Sequence, residues 1–411
     1  MSAAIVKHAA LAVVSLVAIA ACATDADTCG ELRTHLQRCG LSARSLSCDR
    51  VDTSTLRYVV KTFSESGCEG AGRSDGTVDP RLCTIAGWSC PSSPTPEPSA
   101  ARPAGAMALV SGIDESPVFD WNPRILASLR ADLGDDAAHH VKLPGWSTVP
   151  ERAAELWSVV ESIHERTGRK VNLVCYAVSG LDCRWLVSPH GLFDGDKAML
   201  AKAHEAVASI TTIATPHRGT RVADAALAAL ESGTAKDILS ALGGGATDAL
   251  PKGGALQRTL EGLTMDRAID FNARAVDAEE IAYFSFAGVS HVMGRSSAST
   301  EADVAKHCVD REGRSLYFRT DAANDVMNEA LLVTAPWSGT SRGDDGKVMN
   351  SPSDGMVSVA SATWGELLGC VPADHYDVIG QIGKTTRDPA SGFDAPRFYR
   401  WIASTLAARG L

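Results

Sequence analysis

The chain has no excess of basic residues: 39 lysines and arginines stand against 49 acidic residues, for a formal net charge of −10. That balance argues against a nucleic-acid partner, because phosphate recognition needs clustered Lys and Arg. Beyond the N-terminus there is no apolar stretch long enough to cross a bilayer as a helix, which takes roughly 20 residues. No Cys-x-x-Cys pair with a distant histidine is present, which disfavours structural zinc, and His139-His140 has no third ligand nearby. Phosphate loops are missing too: Gly383-Lys-Thr385 lacks the earlier glycine and a preceding strand, and Gly243-Gly-Gly245 reads as a flexible turn. No internal repeat is apparent. What remains is an ordinary globular composition, 45% hydrophobic and 21% charged. That hydrophobic share excludes long low-complexity disorder, and the length predicts two domains or one large domain with an appendage.

Cysteine is unevenly placed. Seven of the 11 cysteines lie within the first 90 residues. Lys7 and His8 close a short polar segment, and Ala9 to Ala21 is an apolar or small run that ends at Cys22. This run is too short to span a bilayer and fits the hydrophobic core of a signal peptide over residues 1–21. Ile19-Ala20-Ala21-Cys22 resembles the lipobox of bacterial lipoproteins, which implies that the Cys22 thiol carries a lipid and becomes the new N-terminus. The alternative is simple cleavage near Ala21, with Cys22 left to pair in a disulfide. Lipidation predicts an exported protein tethered to the membrane at the cell envelope, and Ala23 after Cys22 favours the outer membrane or cell surface.

Six early cysteines then remain: Cys29, Cys39, Cys48, Cys68, Cys83 and Cys90. An even set in a short exported segment reads as a disulfide framework for a module over residues 23–90, too small to hold together by apolar burial alone. The spacing does not choose its connectivity. Pro91 to Pro103 holds five prolines and no apolar period, so residues 91–105 read as a stiff, extended linker.

Residues 106–411 alternate strands and helices. Ala106–Val110, Val171–Tyr176, Ala206–Ala214 and Ile281–Ala287 are apolar runs of strand length, and Pro150–Thr167 has helical periodicity with Gly168 as its stop. The alternation predicts an α/β fold with a mostly parallel sheet and helices on both faces, with its chemistry at the carboxyl ends of the strands.

Four ordered motifs carry a resemblance. Val171-Asn-Leu-Val-Cys-Tyr-Ala-Val-Ser-Gly-Leu-Asp-Cys-Arg-Trp185 resembles the strand–elbow–helix of secreted bacterial triacylglycerol lipases, which read approximately V-N-L-(I/V)-G-H-S-x-G-G-L-x-x-R-Y. Thr212-Ile-Ala-Thr-Pro-His-Arg-Gly-Thr220 resembles their next strand and loop, Ser353-Asp-Gly-Met-Val357 their N-D-G-(L/M)-V motif, and His375-Tyr-Asp377 with Gln381 their H-L-D-x-x-x-Q. The resemblance covers about residues 106–411 and implies an α/β-hydrolase fold with a helical lid and an ester-hydrolysing ancestry. The first 105 residues lie outside it.

At the decisive position the resemblance fails. The V-N-L and G-L-D-x-R flanks put Ala177 where the nucleophilic serine belongs, and alanine has no hydroxyl to attack an ester. Cys175 and Ser179 replace the two elbow glycines and Tyr176 replaces its histidine. With Ala at the centre, the strain of the elbow is expected to be unnecessary. The other two triad positions are retained, Asp354 as the acid and His375 as the base. Backbone N–H groups of Ile113 and Val178 remain available as an oxyanion pocket, a role that needs no side chain. Ser179 is an alternative, displaced nucleophile. Cys175, in an apolar run, is expected to be buried and inert.

The resemblance also implies a structural calcium site. Asp377 and Gln381, an upstream Asp (Asp325, or else Asp321) and a carbonyl near Thr385 supply the oxygens that Ca²⁺ takes. Residues 218–279 correspond to the lid, in which Val222–Leu242 has helical spacing suited to packing on the core or to facing lipid. Cys308 and Cys370 are free to pair with each other. Two classes of function follow: an acylglycerol or carboxylic ester hydrolase, or a binding protein that keeps the acyl pocket for a lipid or acyl-ester ligand or an unidentified protein partner.

Overall fold

The computed structural model describes residues 25–39, 43, 46–67, 82, 85, 101–113, 119–232, 254–295, 298–318, 324–343, 345–382, 386–388 and 390–411. The N-terminal segment with Cys22 lies outside the described residues. So do Cys68, Cys83, Cys90, Asp321 and Thr385. The chain divides into two compact units, Met1–Pro91 and Ser92–Leu411.

In the first unit, α1 (Asp25–Arg38) and α2 (Thr53–Ser66) pack through Leu32, Leu36, Leu56, Val59 and Phe63. Asp52 caps α2 by accepting the Thr55 N–H at 2.9 Å, which satisfies one of the amides that a helix start leaves open. Cys29 is bonded to Cys48, and Cys39 is also in a disulfide.

The second unit is built on six parallel strands: β1 (Ala106–Val110), β2 (Ala138–Val141), β3 (Val171–Tyr176), β4 (Val207–Ile213), β5 (Ala282–Gly288) and β8 (Glu366–Val371). Their order across the sheet is β2-β1-β3-β4-β5-β8. A small antiparallel hairpin, β6 (Thr340–Arg342) with β7 (Val348–Asn350), stands apart from it. Side chains alternate between faces along each strand. Met107, Leu109, Val174 and Tyr176 belong to one core; Ala106, Ala108, Val110, Leu173 and Cys175 belong to the other. Burial on both faces explains why these strands read as continuous apolar runs.

Helices close both layers. On the first face lie α3 (Pro123–Leu133), through Ile125 and Leu129, and the C-terminal α11 (Ala395–Ala408), through Phe398 and Ile402. On the other lie α4 (Val149–Thr167), α5 (Ser179–Val187) and α6 (Lys197–Ala206). Thr148 and Glu151 form a reciprocal capping box at the start of α4, and left-handed Gly168 ends it. Leu156, Val160 and Ile163 of α4 are buried, each contributing about 1.5–3 kcal/mol of transfer free energy.

Over the carboxyl ends of the strands lie α7 (Arg221–Ser232), α8 (Gly254–Gly262) and α9 (Met265–Arg274). Helix α7 turns Val222, Ala223, Ala226 and Ala229 inward; the rest of the expected Val222–Leu242 helix falls outside the described residues. α10 (Ala298–His307) leads to Cys308, which is bonded to Cys370 of β8. Among the described residues no helix is long and apolar enough to cross a membrane.

Candidate active site

The site begins where β3 ends. Ala177 has a φ of 51°, in the left-handed region that an L-residue enters at a cost of about 1–2 kcal/mol. The expectation that alanine relaxes the elbow is therefore corrected. The conformation is imposed by the backbone: the Ala177 N–H donates to the Ile213 carbonyl at 2.9 Å, extending the ladder to β4, and the Ala177 carbonyl accepts from Gly180 at 3.2 Å as α5 starts. The helix crowds the loop after β4 so closely that a Cβ on Gly180 would lie 2.2 Å from Thr215 Oγ1. Cys175 is not an isolated thiol. It is bonded to Cys183, eight residues on, so the last turn of the strand and the second turn of α5 are covalently joined across the elbow.

Opposite Ala177 sits the imidazole. His375 Nδ1 is 2.8 Å from Asp354 Oδ2, and both side chains are buried. The other Asp354 oxygen accepts the N–H groups of Met356 (2.8 Å) and Val357 (2.7 Å), which fixes the carboxylate. With Nδ1 engaged, His375 Nε2 is the ring nitrogen left for a ligand; it has no hydrogen-bond partner among the described residues. Tyr176 donates its hydroxyl to the His375 carbonyl at 2.7 Å. Burial pushes that phenol well above its ordinary pKa, so it stays a donor.

The two candidate amides are placed by different means. Val178 begins α5, where the helix dipole adds partial positive charge. Ile113 is oriented through its neighbour: the Gly112 carbonyl accepts from Arg152 Nη2 at 2.7 Å, and since C=O and N–H of one planar peptide point in opposite directions, the Ile113 N–H faces away from Arg152. Arg152 is held in turn by Asp182 of α5, with Nε 2.7 Å from Oδ2 and both groups buried. Burial raises the Asp182 pKa to about 6, against the lowering effect of Arg152. Through this pair the helix of the elbow sets the loop of the second amide.

Ile113, Ala177, Val178 and His375 line one cavity of about 50 Å³, whose remaining walls include Phe119, Met356, Val222, Ala223, Leu260 and Leu263. Helices α7 and α8 form its roof. Ser179 is not part of it. The Ser179 hydroxyl is fully buried, 2.7 Å from the Tyr176 carbonyl and 3.0 Å from that of Val110. This geometry is at odds with Ser179 as a displaced nucleophile: its proton is committed to the backbone at the start of the helix.

A second cluster flanks the His375 loop. Carboxylate oxygens of Asp325, Asp374 and Asp377 lie within 4.8 Å of one another, all three residues buried. Asp374 is held by backbone N–H groups of Tyr376 (2.8 Å), Asp377 (2.9 Å) and Asn328 (2.7 Å). Both oxygens of Asp325 are buried without a hydrogen-bond partner. Burial, then the charges of Asp388 and Asp374, push its pKa well up. Three buried carboxylates whose oxygens converge are the arrangement a hard cation neutralises.

No protein-family profile matches the chain. A curated relative does: triacylglycerol lipase 2 of Saccharomyces cerevisiae is 25% identical over 284 residues, 66% of this chain and 68% of the yeast protein. The parallel sheet and the strand–elbow–helix around Ala177 give the large unit an α/β-hydrolase fold. Among solved structures, the mature Bacillus licheniformis lipase BlEst2 is similar at 19% identity and a TM-score of 0.44, covering 70% of this chain and 90% of that one. The Staphylococcus hyicus lipase is similar at 18% identity and a TM-score of 0.45, covering 77% and 98%.

The structure gathers Ala177, Val178, Ile113 and His375 around one cavity, with Asp354 behind His375, and groups Asp325 with Asp377 elsewhere. Of the other calcium residues expected from sequence, Gln381 directs its amide nitrogen to the Asp120 carbonyl at 2.7 Å, and Thr385 lies outside the described residues. Asp374 was missed. Its signal was an acidic residue directly before His375, three positions ahead of Asp377. Arg152, Asp182 and Tyr176 were also unassigned, and only the last two fell within a quoted motif.

Proposed function

We propose that this chain is a lipase-like α/β-hydrolase in which the ester-hydrolysing site has become a binding site. The observation that carries the reading is Ala177: a methyl group stands at the left-handed centre of the elbow, on the cavity that His375 and the Ile113 and Val178 residues also line. Acyl transfer needs a nucleophile at that point, a base to take its proton and donors for the oxyanion. Base position and donors are supported by the geometry, and the nucleophile is missing. Loss of the serine alone removes nearly all turnover in such sites.

The ligand is a lipid or acyl compound, in keeping with the apolar cavity. The active-esterase reading requires Ser179, whose buried hydroxyl speaks against it. Turnover of short and long acyl esters by the full chain tests the proposal. It predicts no more than residual hydrolysis, and substantial turnover would remove it.

The same proposal includes Ca²⁺ at Asp325, Asp374 and Asp377. The unpartnered oxygens of Asp325 support the fit. A bound ion would neutralise these carboxylates and fix the loop on which His375 follows Asp374. Export and lipid attachment at Cys22, with residence at the cell envelope, complete the reading; the lipobox-like Ile19–Cys22 segment and the disulfides support it.

A further inference from the structure

We propose that a second site, an open groove along the face of α7 turned away from the elbow, binds an uncharged oligosaccharide. The groove shares no lining residue with the elbow cavity, so the inference stands apart from the reading above. One helix serves both. Val222 and Ala223 turn to the elbow cavity, whereas Arg221, Asp224, Ala228 and Ser232, spaced at i, i+3, i+7 and i+11, turn to the groove. Facing them are Asp266 of α9, Trp337 of the helical turn Ala335–Ser338, and Arg342 of β6. The groove has a volume of about 740 Å³, within the range of about 300–1,000 Å³ that small-molecule sites occupy.

The charges of the groove cancel. Arg221 and Arg342 stand against Asp224 and Asp266, and Arg342 Nη2 lies 3.2 Å from Asp266 Oδ1. Arg221 acts on the Asp224 carboxylate in the same way. An ionic ligand meets repulsion beside every attraction here, so charge gives it no advantage. Hydrogen-bonding capacity is left over, however. Asp224 takes the Met265 N–H on one oxygen while Oδ2 has no partner, and Arg342 Nε has no acceptor. Carboxylates only accept and guanidinium groups only donate, whereas a hydroxyl does both. A row of hydroxyls therefore serves Asp224 and Arg342 together and leaves the ion pairs in place. Between the charged side chains the lining is apolar, with Ala225 and Ala228 on one side and Trp337 on the other. A pyranose ring has this divided character: hydroxyls around its rim, and a face of C–H groups that packs on an indole. An aliphatic chain in the same place would strip water from the four charged side chains and return no hydrogen bond.

The test is titration of the full chain, followed by saturation-transfer NMR, with two neutral trisaccharides, maltotriose and cellotriose. Anionic trigalacturonic acid, cationic triglucosamine and the uncharged peptide acetyl-triserine amide serve as rivals. At least one neutral sugar is expected to bind about tenfold more tightly than any rival, the value of one hydrogen bond. Trp337→Ala is expected to weaken that binding about tenfold through loss of the stacking face. Ala228→Phe removes no polar group and fills the groove at an exposed position, so it is expected to abolish binding with an unchanged thermal melt. Failure of both neutral sugars to bind overturns the proposal. Equal or tighter binding of a charged sugar overturns the argument from cancelled charge, and equal or tighter binding of the peptide overturns the sugar assignment. Sugar binding that survives both Trp337→Ala and Ala228→Phe removes it from this groove.

Discussion

Tyr176 donates its hydroxyl to the carbonyl of His375 across 2.7 Å, so the residue before the elbow holds the loop that carries the imidazole. The two rings lie 5.1 Å apart, centroid to centroid. In the lipase-like pattern a histidine stands at the Tyr176 position, and here a buried phenol ties elbow and base loop together. Tyr176→Phe removes one buried donor and leaves the carbonyl unpaired. The expected cost is about 1–2 kcal/mol in urea denaturation, with weaker ligand binding because His375 loses its anchor.

The Cys175–Cys183 bridge closes a short loop around Ala177. A cross-link of this span stabilises by about 2–3 kcal/mol through the unfolded state. Replacing both cysteines with alanine is expected to lower stability by that amount, measured as a shift of the denaturation midpoint. The same variant tests whether the left-handed turn survives on its backbone hydrogen bonds alone.

How much of this was legible in the sequence depends on how far apart the interacting residues lie. Val171–Tyr176 was bounded as a strand to the residue, because an apolar run followed by small residues leaves little choice. The positions of Ala177, Asp354 and His375 followed from local motifs. The strain at Ala177 was misread because its cause lies outside the side chain, in a hydrogen bond to Ile213 on the neighbouring strand. The Cys175–Cys183 bridge depends on the chain reversing direction at the elbow. Asp374 joins Asp325 only once the segment before β6 returns to the His375 loop, and no spacing rule reports that.

The Asp182–Arg152 pair has a pH signature. Asp182 has its folded pKa raised to about 6 from 3.8, so the folded state holds more protons than the unfolded state between those values. Its stabilising contribution is full below about pH 4 and is lost as pH rises through about 6. Denaturation series across this range are expected to show that slope in the wild type and a flatter one in Asp182→Asn. Relative to the wild type the variant is weakest below about pH 4 and gains as pH rises through about 6, because asparagine has no proton to lose.

Calcium occupancy has a crossing signature. Added Ca²⁺ at a hundredfold excess over its dissociation constant is expected to stabilise the wild type by about 2.7 kcal/mol, read as a rise in Tm that a chelator reverses. Asp325→Asn removes an unpartnered buried carboxylate. Its Tm in chelator is expected to equal or exceed that of the wild type, and the response to Ca²⁺ disappears. A wild type indifferent to Ca²⁺ contradicts the site.

The central claim is that the elbow keeps its left-handed turn and lacks a hydroxyl at position 177. A serine-reactive fluorophosphonate, applied to the wild type and to Ala177→Ser with the labelled peptide mapped by mass spectrometry, measures this directly. The account predicts no labelling of the wild type, and labelling of Ala177→Ser on residue 177 with a gain in ester hydrolysis of about 10³-fold or more. Labelling of the wild-type chain at Ser179, accompanied by turnover, would contradict it.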